Sequence, residues 1–168
     1  MAAFPLEQLV QHILSYQTSR DTAYKRLRAS FLASCISNSD GNLTGFNQAL
    51  YIGAITEATP NFAVLSKFIR ICLHFLEQQT PLPGPIIVAV KLLQATEKTK
   101  LETTAAYHLA HIRKVGTGWD EGYGTGDVNE KTVRELLETE VKDLKSRLDR
   151  AEETIVECKD EIREGLLC

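Results

Sequence analysis

None of the four cysteines, Cys35, Cys72, Cys158 and Cys168, stands in a C-x-x-C pair. That excludes the usual zinc and dithiol spacings, and with no secretory signal in view it points to a reducing compartment. The opening Met-Ala-Ala-Phe-Pro-Leu-Glu lacks the basic region of a secretory leader and the Arg-rich, acid-poor character of a mitochondrial presequence. There is no long apolar run either: the longest, Ile86 to Val90, is far too short to cross a bilayer, so no membrane contact is expected. A strong net charge is also missing. At −3 over 168 residues, the chain as a whole makes no electrostatic case for nucleic acid.

Motifs of chemistry are equally scarce. Gly116 to Gly126 superficially resembles a nucleotide-binding loop, but it has no Lys-Ser/Thr end, no preceding strand and no G-x-G-x-x-G order. It reads as a linker, with Trp119 and Tyr123 as anchors to the bundle or to a partner. No nucleophile elbow, H-E-x-x-H or kinase set occurs. His108 and His111 lie one helical turn apart, yet two imidazoles do not make a metal site. The expectation is therefore no enzyme, no metal and no cofactor.

What is present is helical periodicity. From Leu137 the apolar positions are Leu137, Val141, Leu144, Leu148, Ala151, Ile155, Cys158 and Ile162, in alternating steps of 4 and 3. This is the heptad spacing that lays one apolar seam along a helix and requires another helix to cover it. The cover is either the chain's own helices or a partner, a protein or a second copy of this chain. Residues 127–168 carry 8 Lys/Arg against 13 Asp/Glu, and residues 1–126 carry 11 against 9. An acidic C-terminal helix repels phosphate, so any nucleic-acid contact falls to the first part.

Taken in order, the pattern predicts a first helix over about Leu6–Leu32 with Pro5 at its first position, and a weaker seam between Gln17 and Asp21. Arg20, Lys25, Arg26 and Arg28 form a basic cluster there, either a solvated face or a contact for phosphate or an acidic partner. Ser34 to Gly45 reads as a loop. A second helical segment spans Phe46–Gln79, with Pro60 expected to kink it or to break it after Thr59. The Pro-rich turn Thr80–Pro85 leads to a third helix reaching about Lys114. Asp127 and Glu130 give a capping-box-like start to the last helix, whose length suggests that part of it projects or pairs elsewhere. The fold class is all-α: a small bundle of three to four helices in residues 1–115, a Gly-rich linker at 116–127 and a long coiled-coil helix at 128–168.

Leu6-Glu-Gln-Leu-Val-Gln-His-Ile, followed by Arg20, Ala23, Tyr24, Arg26 and Leu27, resembles the opening helix of the "Required for excision 1-B" domain family, where an L-V-x-x-I stretch precedes R-x-x-A-(F/Y)-x-R-L. Leu93-Gln94-Ala95-Thr96-Glu97-Lys98-Thr99-Lys100-Leu101 is similar to that family's L-Q-x-x-E-x-x-K/R-L. The resemblance implies a non-catalytic accessory in DNA repair, nucleotide excision in particular, located in the nucleus; it transfers no catalytic residue. In that reading the seam Leu137–Ile162 reaches a protein partner and leaves DNA to others. Direct DNA contact through Arg20, Lys25, Arg26 and Arg28 is a further reading. The rival, from a different class, is a cytoplasmic coiled-coil adaptor or scaffold in a cytoskeletal or trafficking assembly.

Overall fold

The computed structural model describes residues 4–39, 43–116 and 128–167. Four long helices dominate it: α1 (Leu6–Ser34), α2 (Gln48–Leu76), α3 (Gly84–Gly116) and α4 (Val128–Glu164). Between α1 and α2 lie two short antiparallel strands, β1 (Cys35–Ser37) and β2 (Leu43–Phe46). The all-α class expected from the periodicity holds. No helix among the described residues is long and apolar enough to cross a membrane.

The helices run alternately up and down. Phe4 meets Phe75 and Tyr24 meets Phe62, so α1 and α2 are antiparallel. Lys100 pairs with Glu152 and Arg113 with Glu140, so α3 and α4 are antiparallel too. A single apolar core joins all four: Leu9, Val10 and Ile13 of α1, Ile69 and Leu76 of α2, Ile86, Val90 and Leu93 of α3, and Ile155, Cys158 and Ile162 of α4. Each large aliphatic side chain buried there contributes about 1.5–3 kcal/mol. A second cluster, at the hairpin end, is aromatic and gathers Tyr24, Phe31, Tyr51 and Phe62.

The stretch read as a loop between Ser34 and Gly45 forms the hairpin instead. Cys35 pairs with Phe46 and Ile36 with Gly45, with an irregularity before Ser37. The turn residues around Asn38 were legible; the arms are only three and four residues long, too short to show an alternating pattern. A β-carbon on Gly45 would lie 3.3 Å from Ile36 Cδ1, so the close approach of the two arms favours glycine there. Asn47 then caps α2, its side chain accepting a hydrogen bond from the Leu50 amide at 3.1 Å. Pro5 likewise sits at the cap of α1, one position before the expected one.

Pro60 does not break α2, which is continuous from Gln48 to Leu76. Thr59, after which a break was possible, is inside the helix with its hydroxyl donating to the Ile55 carbonyl at 2.8 Å. A mid-helix proline costs about 3 kcal/mol. Packing of α2 along the length of α1, from Tyr51 on Phe31 to Phe75 on Phe4, offsets it.

The largest departure concerns the C-terminal helix. Of the two covers left open for its seam, the chain's own helices or a partner, α4 takes the first and packs along α3 within the bundle. The glycine-rich stretch with Trp119 and Tyr123 and the Asp127 cap lie outside the described residues.

Candidate functional site

The heptad seam of α4 is covered by the chain itself. Leu144, Ala151, Ile155, Cys158 and Ile162 are buried, and Leu137, Val141 and Leu148 are half-buried. The reason is geometric: α3 carries a matching run, Ile86, Val90, Leu93, Glu97, Lys100 and Thr104, in alternating steps of 4 and 3. Two such seams close on each other antiparallel. The small residues Ala151 and Cys158 fit this close approach. At the far end Gly165 lets α4 finish against Ile86, whose Cγ1 would sit 2.6 Å from an added β-carbon. The seam assigned to a partner protein therefore serves the fold.

The basic cluster divides. Arg20 is only 2% exposed and points into the bundle, whereas Lys25, Arg26 and Arg28 are exposed. Arg20 belongs to the core because α1 keeps its seam without a gap: Val10, Ile13, Gln17, Arg20, Tyr24, Leu27 and Phe31 follow in steps of 3 and 4. The middle two positions are polar, and they meet the polar positions of α3. One terminal nitrogen of Arg20 donates to Ser66 Oγ of α2 at 2.7 Å and to Gln94 Oε1 of α3 at 2.9 Å. The other donates to Gln17 Oε1 at 3.4 Å. Gln17 Nε2 in turn donates to the Glu97 carboxylate. The Tyr24 hydroxyl donates to the Glu97 backbone carbonyl at 3.3 Å, and Lys100 Nζ lies 4.3 Å from the centre of the Tyr24 ring. Lys100 also pairs with Glu152 of α4 at 3.4 Å, and Asp21 pairs with Lys159 at 3.3 Å. All four helices are tied at this level.

Electrostatics explains the arrangement. Burial lowers the pKa of Arg20, and Glu97, with smaller help from Tyr24 and Asp21, opposes that shift. An arginine remains charged even so, and its charge is tolerable in the core because Glu97 is there. Burial, reinforced by Glu97, pushes the Tyr24 phenol far above its usual range, so it is a neutral donor. Glu97 Oε2 and Gln94 Nε2 make no hydrogen bond among the described residues. The chemistry of the cluster is that of a polar layer fixing which helix faces which.

These are the residues that carry the two motif-like stretches. Arg20 and Tyr24 come from the first, Gln94, Glu97 and Lys100 from the second, and the fold brings them together. Reading α1 and α3 separately missed the junction. The signal was the phase: Gln17 and Arg20 occupy seam positions on α1, as Glu97 and Lys100 do on α3.

At the hairpin end, His108 stacks on Phe31 with ring centroids 3.9 Å apart and shares a hydrogen bond through Nδ1 with the Tyr51 hydroxyl. Burial, with a smaller contribution from neighbouring His111, lowers the His108 pKa to about 4, and burial raises that of Tyr51 to about 12. His111 is lowered as well, by burial first and then by Lys114. This pair of histidines packs as neutral rings. No group of three or more metal-ligating side chains occurs among the described residues.

On the surface, Lys25, Arg26 and Arg28 have no ion-pair partner among the described residues. Arg26 lines a groove between α1 and α2 with Ser19, Ala23, Glu57, Asn61 and Val64. These three are the cations of the original cluster that remain available to an outside anion.

A family model described as DNA repair REX1-B, "required for excision 1-B", matches residues 8–111. That span includes α1, the hairpin, α2 and most of α3, and with them every residue of the polar layer supplied by those helices. No curated protein and no solved structure matches this chain.

Proposed function

We propose that this chain, which belongs to the DNA repair REX1-B family, serves nucleotide excision repair in the nucleus as a non-catalytic accessory that works through its outer surface. The observation that carries the reading is the family match over residues 8–111, together with the meeting of its motif-like residues in one buried layer. The family's name points to DNA repair; excision of nucleotides, the nuclear location and the accessory role are the finer reading. It is supported by the use of the polar residues: the buried ones hold helices together, and the exposed ones face solvent on α1 and α2.

The adaptor reading needs a coiled-coil helix whose seam is free to meet a partner. That seam is occupied by α3, so the surfaces left for a partner lie elsewhere on the bundle. Direct DNA contact now rests on Lys25, Arg26 and Arg28 without Arg20. Three phosphate contacts give a shallow salt dependence, a slope of about −2.7 in log K against log salt on duplex DNA.

Loss of the protein tests the reading. Cells lacking it are expected to be sensitive to ultraviolet light, and a tagged protein is expected in the nucleus and at sites of damage. Normal survival after irradiation, with a steady cytoskeletal pattern, would reject it.

A further inference from the structure

Among the apolar groups that the bundle leaves exposed, three stand in one line along α2. Val64, Phe68 and Ile71 are 49%, 41% and 42% exposed, and they are followed by half-buried Phe75, in steps of 4, 3 and 4. The core face of α2 lies on the other side, at Phe62, Ile69, Cys72 and Leu76. So α2 carries two seams, one turned inward and one outward. The outward seam is bordered by α1: Tyr16 stacks on Phe68 at 5.2 Å, and Val64 opens into the groove walled by Ser19 and Ala23. A line of apolar residues at heptad spacing next to a groove between two helices suits an apolar helix edge laid along it.

Charge identifies what kind of helix. Every Lys and Arg of α3 has a carboxylate partner: Lys91 with Glu77, Lys98 with Glu102, Lys100 with Glu152, Arg113 with Glu140 and Lys114 with Glu138. No exposed cation of α1 or α2 has one among the described residues; these are Lys25, Arg26, Arg28, Lys67 and Arg70. At about 100° per residue, Lys67 falls on the flank of the outward seam away from α1, and Arg70 lies about 60° further round in the same direction. Arg26 lines the same groove as Val64, together with Glu57. A second copy of this chain brought onto the seam by a two-fold axis would set Lys67 and Arg70 against themselves, a like-charge juxtaposition. Nucleic acid would neutralise the cations but leave Val64, Phe68 and Ile71 uncovered.

We infer that the α1–α2 face is a docking surface for an acidic amphipathic helix of a partner protein, its apolar edge on Val64, Phe68 and Ile71 and its carboxylates on Lys67, Arg70 and Arg26. The inference goes beyond the repair reading and stands or falls without it.

The test uses the full chain and two synthetic helical peptides with leucines at heptad positions, one bearing Glu and the other Lys at the flanking positions. Backbone and methyl NMR signals are followed during titration. The Glu peptide is expected to shift signals centred on Val64 and Ile71 and to bind at least tenfold more tightly than the Lys peptide. Val64→Asp with Ile71→Asp should abolish binding, and Lys67→Glu with Arg70→Glu should reverse the preference between peptides. Both pairs lie on the helix surface, and an unchanged circular dichroism spectrum verifies the fold. The inference is overturned by equal or reversed preference in the unsubstituted protein, or by shifts centred elsewhere. It is overturned equally by self-association of the free chain that Ile71→Asp removes, or by displacement of the Glu peptide from these residues by a single-stranded oligonucleotide.

Discussion

Replacing Arg20 by methionine isolates the polar layer. The substitution keeps an unbranched apolar stem and removes the guanidinium, and with it the donors to Ser66, Gln94 and Gln17. Glu97, only 4% exposed, then keeps its carboxylate in the core with the Gln17 amide and without the buried cation that compensates it. Arg20 and Glu97 are linked through Gln17 and are not in direct contact, so the loss should fall toward the lower end of the about 3–5 kcal/mol that breaking a buried pair costs. Against a total stability of about 5–15 kcal/mol, that is a large fraction. Glu97→Leu should cost a similar amount from the opposite side. Arg20→Met with Glu97→Leu removes both charges, so the double variant should be more stable than the sum of the single losses by about 2 kcal/mol or more. Urea unfolding followed by helix circular dichroism measures all three, with exposed Lys25→Met as a control expected within about 0.5 kcal/mol of the parent. Single losses below about 1 kcal/mol, or losses that simply add, would refute the claim that Arg20 and Glu97 compensate each other in the core.

Other consequences are as direct. His108 titrates at about 4 in the folded chain against 6.5 in the open chain, so the unfolded state binds the proton first. Its contribution is complete above pH 6.5 and is lost as pH falls from 6.5 towards 4, on the order of 3 kcal/mol in all; His108→Gln should flatten stability over that window in pH-dependent unfolding. Ile162→Ala opens a cavity where α4 meets the core and should cost about 2–5 kcal/mol, with a midpoint independent of protein concentration because the seam is filled within one chain. Gly165→Ala forces Ile86 to move from 2.6 Å and should cost about 1–3 kcal/mol by the same unfolding assay. Replacing Lys25, Arg26 and Arg28 by Glu should leave stability within about 0.5 kcal/mol per site, since none has an ion-pair partner among the described residues.

The helices were legible because their apolar periodicity is long and regular. Leu6, Pro85 and Lys114 mark boundaries that differ from the structure by no more than two residues. The hairpin was not legible, because arms of three and four residues carry no period. Pro60 misled for a different reason: the local cost of a proline is readable in sequence, and the packing that offsets it is not. The α4 seam was read correctly as needing a cover, but the cover depended on α3 repeating the same steps through Glu97 and Lys100, which an apolar count passes over. The same blind spot hid the site. Gln17 and Arg20 looked like a gap and a basic patch, yet their phase along α1 placed them in the core. The outward line Val64, Phe68 and Ile71 becomes visible only once the packing of Phe62 and Ile69 fixes the inward face of α2.

The central claim is that this bundle serves the excision of damaged nucleotides. Its most direct measurement is the rate at which ultraviolet photoproducts leave the genome of cells lacking the chain, with and without the chain restored. The account predicts slow removal that returns to normal on restoration. Removal at the normal rate in its absence would contradict it.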